Sequence, residues 1–246
     1  MSNSYFEFKQ FTIHQERTAM KVGTDGTLLG AWAQVPSESS DGTPLDSPFI
    51  LDIGTGTGLI ALMMAQRFPK AQITAIDIDA EAVSQAQENV LASPFSQHVK
   101  VIMADARDFL SSEGSLFDAI VSNPPYFVDS LTCPDNQRTM ARHNSTLTYR
   151  QLMHTAFGLL APHGIFSVVI PVDCCAQLET EAHLAGFFPS RICMIKTTPR
   201  KAPKRCLMEF SKHPVNELVK NEGIIEISPN VRSDWYQELT RDFYIR

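Results

Sequence analysis

The chain has 246 residues, 43% hydrophobic and 20% charged, a balance that suits one large α/β domain with a full core. Its net charge of −6, from 21 basic and 27 acidic side chains, excludes general electrostatic attraction to nucleic acid, so such a partner must be met by a local basic patch. The apolar runs fall well short of the ~18 residues of a membrane span, and Met1 to Gln10 lacks the basic start and apolar stretch of a secretory leader.

Taken in chain order, residues 1–35 read as an N-terminal segment of a single domain covering 1–246. Within it, Gly23-Thr24-Asp25-Gly26 is a turn, and Asp25 is expected to cap a short helix ending at Trp32. Residues 36–48, rich in Ser, Pro, Asp and Gly, read as a surface connection. Strands and helices then alternate: a strand at Phe49–Ile53, a helix over Leu59–Phe68, a strand at Ile73–Asp77, a helix over Ala80–Leu91 and a strand at Val99–Met103. After a loop containing Gly114 come a strand at Phe117–Ser122, a helix over Tyr149–Leu160 and a strand at Gly164–Ile170. Two more strands, Ser190–Lys196 and Cys206–Ser211, have no evident helix between them and should pair antiparallel at one edge. This alternation predicts a doubly wound, mostly parallel α/β sheet. The five cysteines, Cys133, Cys174, Cys175, Cys193 and Cys206, are odd in number and lack C-x-x-C spacing. They predict neither a metal site nor a disulfide framework, and fit a reducing cytoplasm.

The run Asp52-Ile53-Gly54-Thr55-Gly56-Thr57-Gly58 follows the first of these strands and opens a helix, where ligands of such sheets sit. A dinucleotide fingerprint would place its last glycine at Leu59, and the P-loop lysine is missing. Asp52 suits a cationic group such as the ammonium of a methionine moiety. Asp77, closing the next strand, can accept both hydroxyls of a ribose. Asp105, beyond the third, can accept from an adenine amino group. Each feature alone is an ordinary strand-end turn or helix cap; three on consecutive strands point to a cofactor site.

Beyond the fourth strand stands Asn123-Pro124-Pro125-Tyr126. The proline pair stops the strand and stiffens the loop. The Asn123 side-chain carbonyl and the Pro124 backbone carbonyl can then meet the two N–H donors of one planar amino group. Tyr126 can stack on the ring that bears it. Such a nitrogen is a poor nucleophile because its lone pair is delocalised into the ring. Holding both protons steers it toward pyramidal geometry and in-line attack on a sulfonium methyl, so positioning suffices.

Asp52 to Gly58 with Asn123 to Tyr126 resembles the class I methyltransferases that modify planar amino groups. That family has seven strands with the last antiparallel. Phe8-Lys9-Gln10-Phe11, the run from Met20 to Trp32, and Glu238 to Tyr244 look like the bacterial tRNA(Val) adenine-N6 methyltransferases. The resemblance implies S-adenosyl-L-methionine as cofactor, tRNA as substrate, methylation of the adenosine 3′ of the anticodon (position 37), no obligate protein partner and no metal. It also implies that Lys21, Val22 and Thr24 close over the methionine end of the cofactor, with contacts from Asp52, Gly54, Gly56, Gly58, Asp77, Asp105 and Asn123. Catalysis would rest on Asn123, Pro124 and Tyr126.

Arg200-Lys201-Ala202-Pro203-Lys204-Arg205 is the most concentrated positive segment, so Arg200, Lys201, Lys204 and Arg205 are the candidates for RNA phosphate contact. Arg138, Arg142, His143 and Arg150 follow the catalytic loop and can flank the substrate. Two alternatives share the amino-group chemistry. A protein-glutamine methyltransferase would usually carry a sizeable helical domain before the glycine loop, where only 50 residues precede Leu51 here. In a ribosomal RNA guanine-N2 methyltransferase, Phe often replaces the motif's tyrosine.

Overall fold

The computed structural model describes residues 3–18, 20–109, 116–125 and 147–245. The chain opens with an antiparallel hairpin, β1 (Tyr5–Glu7) and β2 (Thr12–His14), then α1 (Thr24–Trp32). There follow β3 (Phe49–Ile53), α2 (Leu59–Arg67), β4 (Gln72–Asp77), α3 (Ala80–Leu91), β5 (Val99–Met103) and β6 (Phe117–Ser122). The second half holds α4 (Tyr149–Leu159), β7 (Leu160–Pro171), a 3-10 turn at Val172–Cys174, α5 (Cys175–Ala185), β8 (Phe188–Lys196) and β9 (Arg205–Ser211). It ends with β10 (Val219–Ile224), the short ribbon β11 (Glu226–Ser228) and β12 (Val231–Arg232), and α6 (Asp234–Thr240).

The central sheet has the order β10-β8-β9-β7-β6-β3-β4-β5. All its pairs are parallel except those of β9, which runs antiparallel to both β7 and β8. The expected doubly wound sheet is present, and its boundaries at β3, β5, β6 and α3 fall on the predicted residues. Three details differ from the sequence expectation. The β8–β9 pair is not at an edge, because β9 inserts between β7 and β8 and an eighth strand, β10, covers β8. β10 has the polar sequence VKNEGI and mostly exposed residues, so it carries no strand alternation to read. Helix α5 packs through Leu178 and Ala182, and so narrow an apolar stripe gives a weak helical signal.

Side-chain parity along the strands builds two cores. Ile50, Ile73, Ala119 and Val121 join the buried cluster of α1, α2 and α3, whereas Leu51, Ile53, Ile120 and Phe166 join that of α4 and α5. Helix α2 is buried from Leu59 through Ala65, covered by the sheet on one side and α1 on the other. The C-terminal end of α1 is held by two guanidinium groups. Arg67 Nη1 donates to the Gly30 and Ala33 carbonyls at 3.0 and 2.6 Å, and Arg191 Nη2 donates to that of Trp32 at 3.0 Å. Cations there complement the helix dipole. The Arg191 guanidinium also lies 3.6 Å from the centre of the Trp32 ring.

At its N-terminal end α1 departs from expectation. Gly23 is the N-cap and makes no side-chain cap bond; Asp25 is inside the first turn and pairs with Arg205 at the start of β9. The hairpin β1–β2 is tied to the end of the chain by Lys9 N donating to Phe243 O at 2.8 Å and by stacking of Phe8 on Tyr244. The connection 36–48 is a largely exposed turn closed by Ser39 N donating to Thr43 O. Among the described residues no helix is long and apolar enough to cross a membrane. Cys193 and Cys206 are buried free thiols, Cys174 and Cys175 are half-buried and free, and Cys133 lies outside the described residues.

Candidate active site

In the strand order, β3 leads on one side to β4 and β5 and on the other to β6, so the direction of winding reverses there. Open α/β sheets bind ligands outside the carboxyl ends of the strands at such a reversal. The glycine loop leaves β3 at this point. Gly54 and Gly56 have φ of 73° and 56°, left-handed values that a side chain resists. A Cβ built on either would meet no atom within 4 Å, so the loop presents bare backbone to an open cradle. Gly58, also left-handed, is the N-cap of α2 and abuts Ala86 of α3.

The loop is fixed from three directions. Gly54 N and Thr55 N donate to Ile76 O at 2.9 and 3.0 Å, and Gly56 N donates to Asp77 Oδ2 at 2.8 Å. Asn89, fully buried on α3, donates through Nδ2 to Thr57 O and His14 O and accepts His14 N at Oδ1, each at 2.9 Å. The other Asp77 oxygen accepts from Asp79 N at 3.0 Å, while Asp79 itself caps α3 through Glu81 N. Thus Asp79 rather than Asp77 performs the capping, and Asp77 braces the loop.

Two cavities meet over this loop. The larger, of about 430 Å³, is mainly apolar and is lined by Asp77, Asp105, Asn123 and Pro124 together with Ile53, Ile78 and Leu147. The smaller, of about 280 Å³, is lined by Lys21, Thr24, Asp25, Thr55 and Arg205. Met20, Gly54, Gly56 and Asn123 line both. Ser122 Oγ donates to Ile53 O at 2.9 Å, locking the end of β6 to the end of β3 just before Asn123. The half-buried Asn123 amide also lies 3.7 Å from the Met20 sulfur, and Pro124 is buried. Of the sequence candidates, Lys21, Thr24, Gly54, Gly56, Asp77, Asp105, Asn123 and Pro124 therefore line these two adjoining cavities. Tyr126, Arg138, Arg142 and His143 lie outside the described residues, and Arg150 is exposed at the start of α4.

Asp52 is placed differently from expectation. Parity turns it to the face under α1 and α2, where it is fully buried and lines neither cavity. Its Oδ2 accepts from Thr55 Oγ1 at 2.6 Å, and its Oδ1 is buried without a partner. Burial pushes the carboxyl up to about 7, against the opposing pull of the Thr55 hydroxyl. Asp105 sits at the cavity wall, but Arg107 engages both its oxygens, with Nε 2.9 and 3.0 Å away; that bonding holds the carboxyl below its ordinary range. Arg205 is half-buried against Asp25, whereas Arg200, Lys201 and Lys204 are exposed on the β8–β9 turn. Among the described residues no group of three or more His, Cys, Asp or Glu side chains is arranged to hold a metal.

Met20, Thr55 and Asn89 were not singled out by sequence. Asn89 reads as one more polar residue of an amphipathic helix, and only the fold reveals that its carboxamide joins β2 to the glycine loop.

A sequence profile of the methyltransferase small domain family matches residues 43–188. A tRNA1(Val) (adenine(37)-N6)-methyltransferase of Phocaeicola vulgatus is 49% identical over 245 residues, covering 100% of this chain and 99% of that one. Its namesake from Bacteroides fragilis is 46% identical over 248 residues, covering 100% of both. Among solved structures, a predicted O-methyltransferase from Agrobacterium tumefaciens superposes with a TM-score of 0.66 at 20% identity, covering 89% of this chain and 96% of that one, which is a likeness of fold.

The raised Asp52 pKa has a signed consequence. The folded state holds this proton to higher pH than the unfolded chain, whose carboxyl titrates near ~4, so stability is lost as pH rises from there through about 7. Asp52→Asn removes the titration. In urea unfolding without ligand, the variant should gain on the wild type between acidic and neutral pH; a difference between the two that does not change with pH would refute the assignment.

Proposed function

Because the chain belongs to the tRNA1(Val) (adenine(37)-N6)-methyltransferase family, we propose that it transfers the methyl group of S-adenosylmethionine to the exocyclic N6 of the adenosine at position 37 of that tRNA. The observation that carries this reading is the placement of Asn123 and Pro124 in the same cavity as Asp77, across the end of β3. The donor set fits the cofactor. Gly54 and Gly56 leave a cradle that a Cβ would fill, and Asp77 can receive ribose hydroxyls. When bound, S-adenosylmethionine supplies an electrophilic methyl group on a sulfonium.

In this reading the protein's work is positional. The Asn123 side-chain carbonyl and the Pro124 backbone carbonyl accept the two N–H bonds of the target amino group, which holds the nitrogen lone pair toward the methyl-bearing side of the cavity. No basic side chain is needed, since the proton leaves to water after transfer. Tyr126 stacks on the target base. Asp105, at the wall of the larger cavity, accepts from the cofactor's adenine amino group. Residues 1–35 close over the site, with Lys21, Val22 and Thr24 at the methionine end; Lys21 and Thr24 line the smaller cavity. A glutamine carboxamide offers the same pair of donors, but the full-length similarity to tRNA enzymes favours adenosine.

The substrate side is marked by charge. β8 runs parallel to β3 through the alternation at β9, so the β8–β9 turn stands at the same, carboxyl end of the parallel strands as Asn123. Its exposed Arg200, Lys201 and Lys204 serve as phosphate contacts in a protein otherwise acidic. A cytoplasmic location accords with a tRNA substrate.

Asn123→Ala should keep its fold and its cofactor affinity but lose roughly 10²–10³ in rate, the usual effect of deleting one preorganised transition-state hydrogen bond. Single-turnover methylation of tRNA at saturating cofactor reads this directly; near-normal turnover would refute the mechanism. Neutralising Arg200, Lys201 and Lys204 together should weaken tRNA binding and reduce the slope of log affinity against log salt by about 2–3. An unchanged slope would make the turn an ordinary solvated surface.

A further inference from the structure

Arg205 lies 180 residues from Asp25, and the two side chains form an ion pair where β9 starts beneath the first turn of α1. Both are about three-quarters buried, with 28% and 22% of their side-chain surface exposed. The contact uses Arg205 Nε; its terminal nitrogens have no hydrogen-bond partner among the described residues, and the side chain lines the 280 Å³ cavity. A guanidinium held by one nitrogen keeps its remaining N–H donors in a fixed plane suited to a carboxylate. The same cavity is walled by Gly54, Thr55, Gly56 and Thr57 and by the first turn of α1, while Asp77 faces the larger cavity. On the reading that this is the cofactor site, with Asp77 at the ribose, the smaller cavity receives the amino-acid end.

The geometry points to Arg205 as the residue that binds the carboxylate of S-adenosylmethionine, with Asp25 as the positioning residue that aims it. This separates Arg205 from its neighbours Arg200, Lys201 and Lys204, which are exposed on the turn. Burial and the partner on α1 direct Arg205 inward, toward a small anion and away from an RNA backbone. Asp25 also offsets the positive charge that Arg205 adds beside the helix N-terminus, and it leaves the cavity able to accept a zwitterion.

The test compares two ligands that differ by one group, S-adenosylmethionine and decarboxylated S-adenosylmethionine, by calorimetry on the full chain without tRNA. Wild type should prefer the carboxylate-bearing compound. Arg205→Ala should weaken that compound roughly tenfold to a hundredfold, as expected for a lost charged hydrogen-bond pair, and leave the decarboxylated one unchanged. Arg205→Lys should fall between, because it keeps charge and loses the planar fork. Equal weakening of both ligands would reduce Arg205 to a structural role and overturn the proposal. So would unchanged affinities accompanied by a smaller salt slope for tRNA, which would return Arg205 to the RNA surface. A wild type that binds neither ligand would instead sink the reading of the cofactor site, and this proposal with it.

Discussion

The hydrogen bond from Gly56 N to Asp77 Oδ2 joins the ends of two adjacent strands, and the geometry of the site depends on it. A loop with glycines at alternate positions has more conformational freedom to lose than a stretch of the same length without glycine. Left alone it would be mobile. Here the Ile76 carbonyl holds its first two amides, Asp77 its second glycine and Asn89 the Thr57 carbonyl. The loop is therefore shaped before any ligand arrives, and binding need not supply that ordering. Asp77 spends one lone pair of each oxygen on backbone N–H groups, which leaves acceptor capacity on the cavity side.

The remaining parts are hung from this joint by long-range contacts. Ser122 ties β6 to β3, so Asn123 is presented at a fixed offset from Gly54. Helix α1 is clamped at its C-terminal end by Arg67 and Arg191 and at its first turn by Arg205. That arrangement carries Lys21 and Thr24 to the rim of the smaller cavity although they precede the sheet in sequence. Electrostatics divides the molecule the same way: carboxylates gather at the loop and at β4, while the exposed cations of the β8–β9 turn mark the side from which a polyanion would come.

Local patterns made much of this legible. The strands β3 and β6 are nearly continuous apolar runs ended by glycine or proline, and α3 has a clean amphipathic face, so their limits were readable to the residue. The lining candidates from Gly54 to Pro124 are legible because each stands at or just beyond the end of a strand, and the fold class alone puts those ends side by side; Lys21 and Thr24 are reached only through the family resemblance. What failed to show had no local signature. β10 is polar, and α5 buries two residues. The Asp25–Arg205 pair spans most of the chain, so in the sequence its two members read separately, as a helix cap and as part of a basic run. Asp52 reads as a ligand from its place before the glycines; the parity that puts it on Ile50's side is visible in the sequence, but which side α1 and α2 cover is not.

In the proposed reaction, two carbonyl acceptors at the end of β6 orient the amino nitrogen of the target adenosine. Incubating the protein with isotopically labelled S-adenosylmethionine and total tRNA from a strain lacking the enzyme, then digesting the RNA to nucleosides and mapping the label, tests it directly. Label is expected in N6-methyladenosine alone, at position 37 of tRNA1(Val). Label in a methylated guanosine, in an adenosine elsewhere in the tRNA, or in protein with none in RNA, would contradict it.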